Sequence, residues 1–171
     1  LSTTPDSGFS RRGFLAAAAA GATVAAAKLS SAADAQARTS NNATYVLVHA
    51  AWHGGWCWGK VTPLLRARGH DVYTPTLTGL GERSHLAHPD ISLETHIQDV
   101  VNVLHYEDLS RVILVGHSSS GAVITGVAER AAERLAHLVY LDAFVPDDGQ
   151  ALLDLIPADR RQGMEQRVQA E

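Results

Sequence analysis

Arg111-Val112-Ile113-Leu114-Val115-Gly116-His117-Ser118-Ser119-Ser120-Gly121 is an apolar, β-branched run that ends in a cluster of glycine and serine. The run over 111–115 predicts a strand buried on both faces, as in a parallel sheet. The cluster predicts a sharp turn, and Ala122 to Leu135 predicts a helix. Strand, tight turn and helix with a serine at the apex match the nucleophile elbow, G-x-S-x-G, in all but its last glycine. Backbones of strand and helix approach closely there, so small residues are needed. Gly116 supplies one; Ser120 stands where the second glycine is expected, and Gly121 follows it. Of three consecutive serines, Ser118 lies two residues after Gly116 and is the candidate nucleophile. A Ser/Gly-rich helix cap without chemistry is the bland alternative. The elbow would also direct the Ser119 backbone N–H at a developing oxyanion, from a helix N-terminus whose dipole favours negative charge.

The surrounding chain alternates strands and helices. Tyr45–Val48 predicts a strand, Cys57 to Arg68 a helix that Pro63 would delay, and Asp71–Thr74 a weaker strand. A loop is expected over Leu77 to Ile91. Leu93, Ile97, Val100, Val101 and Leu104 form one apolar stripe at helical period, with Ser92 as N-cap and Glu94 in the first turn. His137–Leu141 predicts a fourth strand, and 158–171 an exposed charged helix. Small residues at Ala122, Gly126 and Ala128 are expected to let their helix approach the sheet. This order implies an α/β fold of about four parallel strands with flanking helices and right-handed crossovers. In such sheets ligands sit at the carboxyl ends of the strands.

The first strand leads into His49-Ala50-Ala51-Trp52-His53-Gly54-Gly55-Trp56. A fold built on the elbow takes its second oxyanion donor from this loop, and Ala51 N–H is the candidate. This stretch through Trp58, with Thr76-Leu77-Thr78-Gly79-Leu80-Gly81-Glu82-Arg83, Gly116–Gly121 and Leu141-Asp142-Ala143-Phe144-Val145-Pro146, resembles the α/β-hydrolase superfamily. Within it the chain resembles the branch of plant methylesterases, hydroxynitrile lyases and bacterial carboxylesterases, over roughly residues 44–171. It departs at Ala50, where bacterial members usually have glycine and the lyases threonine.

The resemblance implies a serine carboxylesterase that acts on small-molecule esters through an acyl-enzyme. The alternatives are cyanohydrin cleavage and ligand binding without turnover. A dehalogenase would need an aspartate where Ser118 stands. Serine hydrolysis needs a histidine base and an orienting carboxylate, in the chain order serine, acid, histidine. The last histidine is His137, and none follows Asp142. In the resembling family acid and base come later, beyond a cap. The chain is therefore expected to be a C-terminally truncated, inactive piece of an esterase, with residues 146–171 the start of the cap. Asp142, at the end of the fourth strand, is the one acid candidate within it. His117 is expected to pack under the turn. His49 and His53 lack the glutamate of a zinc motif, and Gly79-Leu80-Gly81 lacks the residues of a phosphate loop. Trp52, Trp56 and Trp58 are candidates for an acyl pocket, with core packing as the competing role. Neither a metal nor a cofactor is called for.

The N-terminus reads as an address. Ser10-Arg11-Arg12-Gly13-Phe14-Leu15 opens an alanine-rich apolar run to Ala27, followed by polar residues and two A-x-A sites within Ala33–Ala37. These are the parts of an export signal, and the paired arginine resembles the twin-arginine type. Residues 1–37 are thus expected to engage the twin-arginine export machinery, with 38–43 a linker and a periplasmic or extracellular destination. The run is shorter than the ~20 apolar residues a membrane span needs. Across all 171 residues, 46% are hydrophobic and 19% charged, which is globular rather than disordered. A net charge of -4 gives no basic excess for nucleic acid. One cysteine, Cys57, excludes an internal disulfide and a four-cysteine zinc site.

Overall fold

The computed structural model describes residues 42–168. The expected export signal and most of the expected linker lie outside them. The strands are β1 (Thr44–Val48), β2 (Asp71–Tyr73), β3 (Val112–His117) and β4 (Leu135–Leu141). The helices are α1 (Thr62–Arg66), α2 (Leu93–Tyr106), α3 (Ser120–Ala131) and α4 (Ala158–Val168). The strands form one sheet in the order β2-β1-β3-β4, with every neighbouring pair parallel. This is the expected four-stranded α/β arrangement.

Period two along the central strands separates two cores. Val46, Val48, Val112 and Leu114 are fully buried on one face, against Ile97, Val100 and Leu104 of α2 and Val123, Ile124 and Val127 of α3. Leu47 and Val115 point to the other face, with Val72 and Trp58. Each such aliphatic side chain contributes about 1.5–3 kcal/mol by leaving water. The stripe read from Leu93 to Leu104 is the buried face of α2. Its first turn is tied to α3, because Glu94 and Arg130 form a two-point ion pair.

Several boundaries differ from the sequence reading. The expected helix over 57–68 is a 3₁₀ turn at Gly55–Trp58 followed by short α1, which starts at Thr62 with Pro63 in its first turn. Within the loop of 77–91, Gly81–Leu86 is 3₁₀-helical. The third helix begins at Ser120 and ends at Ala131, and β4 begins already at Leu135. Arg134 explains the early ending: its guanidinium donates to the carbonyls of Leu104 and Leu109 at 3.2 and 2.8 Å, anchoring the chain to the end of α2. Gly126 faces α2 rather than the sheet, since a Cβ there would stand 2.3 Å from Ile97 Cδ1.

The topology positions the crevice. From β1 the chain turns outward to β2, and from β3 it turns the opposite way to β4. The gap beyond the carboxyl ends of β1 and β3 is the switch point where open α/β sheets bind ligands. Val48 pairs with Gly116 in register. The loop from His49 and the turn from His117 therefore leave the sheet side by side.

Candidate active site

Ser118 sits at the end of β3 with φ +54°, in the left-handed region that non-glycine residues rarely adopt. The turn is held on both sides. Ser118 N–H donates to Leu141 O at 3.3 Å, and Ser118 O accepts from Gly121 N–H at 3.1 Å and Phe144 N–H at 2.9 Å. Such a conformation costs about 1–3 kcal/mol and persists only where its surroundings over-determine it. The glycines have steric reasons. A Cβ at Gly116 would stand 2.7 Å from Ser120 O, and one at Gly121 only 2.1 Å from Phe144 O. Strand, strained serine and helix are thus all present, as the elbow reading expects.

The three serines have three different surroundings. Ser118 lines an open cavity of about 600 Å³. Ser119 Oγ accepts a hydrogen bond from Ala51 N–H at 2.9 Å. Ser120 is buried, and its Oγ donates to His49 O at 2.5 Å. Ser120 is therefore more than a tolerated substitute for glycine: it fastens the elbow to the loop after β1. Sequence reading missed both fastenings, and the unbroken serine triplet was the one available signal.

His49 completes the fastening from the other side. Its ring is buried, Nε2 accepts from Leu77 N–H at 3.0 Å, and Nδ1 lies 2.8 Å from Ala50 O. Only the Nδ1–H tautomer satisfies both partners. Burial is the main reason that its pKa lies below the usual histidine value. The neutral imidazole is spent on structure and has no free nitrogen for catalysis. Beyond Leu77, Gly55 N–H donates to Thr76 Oγ1 at 2.7 Å, and that hydroxyl donates to Glu82 at 2.5 Å. This bond is the main cause that lowers the Glu82 pKa. Asp99 of α2 accepts from Thr78 N–H and Oγ1 at 2.6 and 2.8 Å. The loop 76–83 is a brace for the loop 49–55.

The cavity is bounded by Ala51, Trp52, Ser118, Ser119 and Phe144 on the sheet side, and by an apolar stretch that includes Leu152 and Ile156 on the other. Trp52, 78% exposed and with φ +59°, is the tryptophan at its mouth. Trp58 is core, and Trp56 lines a separate cleft beside Glu82. His117 lies edge-on to Trp58, with ring centres 6.3 Å apart. Asp142 follows β4 with φ +44° and is exposed. Among the described residues, neither Ser118 Oγ nor Asp142 is hydrogen-bonded to a histidine; the candidates Ser118, Ser119 and Ala51 line one cavity, and Asp142, at the neighbouring strand end, is not among its lining residues. Among the described residues there is also no cluster of three or more His, Cys, Asp or Glu placed to hold a metal. No described helix is long and apolar enough to cross a membrane.

Comparison with known proteins agrees with this geometry. A model of the alpha/beta hydrolase family matches residues 45–169. The chain is 56% identical over 115 residues to a carbendazim-hydrolysing esterase of Nocardioides, a match covering 67% of this chain and 48% of that protein. It is 37% identical over 105 residues to methylesterase 1 of Arabidopsis thaliana, covering 60% and 40%. An extracellular alpha/beta-hydrolase from a Paenibacillus species superposes with a TM-score of 0.68 at 35% identity, covering 72% of this chain and 50% of that one. The chain thus spans about half the length of the relatives it matches.

Proposed function

The chain belongs to the alpha/beta hydrolase family, and from that we propose that it is the nucleophile-bearing part of a serine carboxylesterase. Its substrates are small carboxylic esters, and the reaction passes through an acyl-enzyme. The observation that carries this is the left-handed Ser118 at the β3–α3 turn, opening into an apolar cavity that Ala51 and Ser119 also line. Relatives named as esterase and methylesterase support the ester class.

Ser118 Oγ attacks the ester carbonyl. A C–O bond forms, the carbonyl electron pair moves to oxygen, and the serine proton passes to an imidazole base. The pair then returns, the ester C–O bond breaks and the alcohol leaves with that proton, and water releases the acid from the acyl-enzyme by the same steps. Backbone N–H groups at the α3 N-terminus, Ser119 first, hold the charge that develops on oxygen. The base in this reading is a histidine outside these 171 residues, because none of the nine histidines here is bonded to Ser118. The 171 residues alone then do not turn over ester. The test is hydrolysis of a 4-nitrophenyl ester by the complete protein and by Ser118→Ala. Activity retained in Ser118→Ala would overturn the assignment, and Ser118-dependent turnover by the isolated 171 residues would overturn the external base.

We also propose export by the twin-arginine route, supported by Ser10-Arg11-Arg12-Gly13-Phe14-Leu15. Changing Arg11 and Arg12 to Lys should leave the protein in the cytoplasmic fraction. Unchanged export would reject that route.

A further inference from the structure

Ala51 N–H, expected to face an oxyanion directly, is already bonded to Ser119 Oγ across 68 residues of chain. A hydroxyl has one proton and two lone pairs. By accepting from Ala51, Ser119 uses a lone pair and keeps its proton. That proton has no acceptor among the described residues, and the side chain makes no capping bond to α3. Ser119 lines the same cavity as Ser118. Accepting one hydrogen bond also polarises a hydroxyl and makes it a better donor.

We infer that Ser119 holds the oxyanion with two groups of its own, its backbone N–H and its side-chain O–H. Ala51 N–H acts behind it, orienting and polarising that hydroxyl. This rests on the reading of Ser118 as the nucleophile. In the addition step the Ser118 Oγ–C bond forms, the carbonyl π pair becomes the oxyanion, and the Ser118 proton goes to the imidazole base. The Ser119 proton stays on Ser119 and is only shared with the new charge. Ser119 is then a catalytic residue in the strict sense, and Ala51 a positioning one. The competing role for the same contact is a plug, in which Ser119 Oγ fills the place the oxyanion needs.

The two roles have opposite signs in one experiment. In the complete protein, Ser119→Ala should lower kcat roughly 10²-fold, the usual cost of one oxyanion donor, with KM changed less than about threefold. Affinity for a trifluoromethyl ketone, whose adduct carries the oxyanion, should fall by the same factor as kcat/KM. Ser119→Thr, which keeps a hydroxyl, should recover most of the loss. The Ala51 amide proton should move upfield in Ser119→Ala and not in Ser119→Thr. An unchanged or raised kcat in Ser119→Ala would overturn the inference in favour of the plug. So would a fall in kcat without a matching loss of ketone affinity, or an Ala51 resonance that does not move. Failure of the nucleophile reading looks different: Ser118→Ala keeps its activity, or the wild type forms no ketone adduct.

Discussion

Ser118 and Asp142 occupy equivalent places on neighbouring strands. His117 pairs with Leu141, so each residue is the first beyond its strand, and each has a left-handed backbone, φ +54° and +44°. Their surroundings differ completely. Ser118 is pinned between Leu141, Gly121 and Phe144 and flanked by two serines that fasten the β1 loop. Within these 171 residues Asp142 is exposed, after a strand whose Val139, Tyr140 and Leu141 are 39–46% exposed. Backbone strain at a strand end therefore does not by itself make a site. Among the described residues Ser118 is held by three backbone hydrogen bonds, whereas Asp142 is of a residue type that adopts the left-handed region readily and needs no such hold.

The largest effect that would sharpen this contrast is chemical. Ser118→Ala in the complete protein should lower ester hydrolysis by roughly 10⁴-fold or more, measured as kcat/KM. The next is steric. Gly121→Val should destabilise the fold by about 3 kcal/mol or more in a denaturant titration, because its Cβ meets the Phe144 carbonyl. A Gly121→Val protein with an unchanged midpoint would show that the elbow is not held by that contact. Ser120→Ala leaves a buried carbonyl at His49 without its donor and should cost about 1–2 kcal/mol.

A pH effect follows from His49. Its folded pKa lies below the unfolded value, so the unfolded state binds more protons in the window between them. Its contribution is fully present above about pH 6.5 and is lost as pH falls below that value. Protonation would set an Nε2–H against the Leu77 N–H. The denaturant midpoint should drop between pH 7.5 and 5.5, and less so in His49→Asn. Equal drops in both would remove His49 as the cause. The smallest effect belongs to the other side of the comparison: in the 171-residue chain Asp142→Asn should change stability by less than about 0.5 kcal/mol, since asparagine also accepts a left-handed backbone and Asp142 has no side-chain hydrogen bond among the described residues.

Much of this was legible in the sequence, for identifiable reasons. β1 and β3 are buried on both faces, and continuous apolar runs say so. The elbow is a local motif, so Gly116 and Ser118 are readable from their spacing between a predicted strand and a predicted helix. The end of α3 was not, because it depends on Arg134 reaching carbonyls 25 and 30 residues away. Over 57–68 the sequence predicts one helix delayed by Pro63, and the structure has a 3₁₀ turn at Gly55–Trp58 and a short α1 from Thr62. The fastenings by Ser119, Ser120 and His49 span 28 to 71 residues, and no local pattern encodes such pairings.

The register of β1 and β3 sets a rule for length. Val48 lies opposite Gly116, and Ala51 meets Ser119, so each arm runs three residues from a shared rung. The two arms work like a pair of matched calipers. Adding a residue to either one alone adds up to about 3.6 Å of reach, more than a hydrogen bond tolerates. Ser120 also reaches His49 from the same rung, so the two ties have different offsets and an insertion in either arm, or in both, breaks at least one of them.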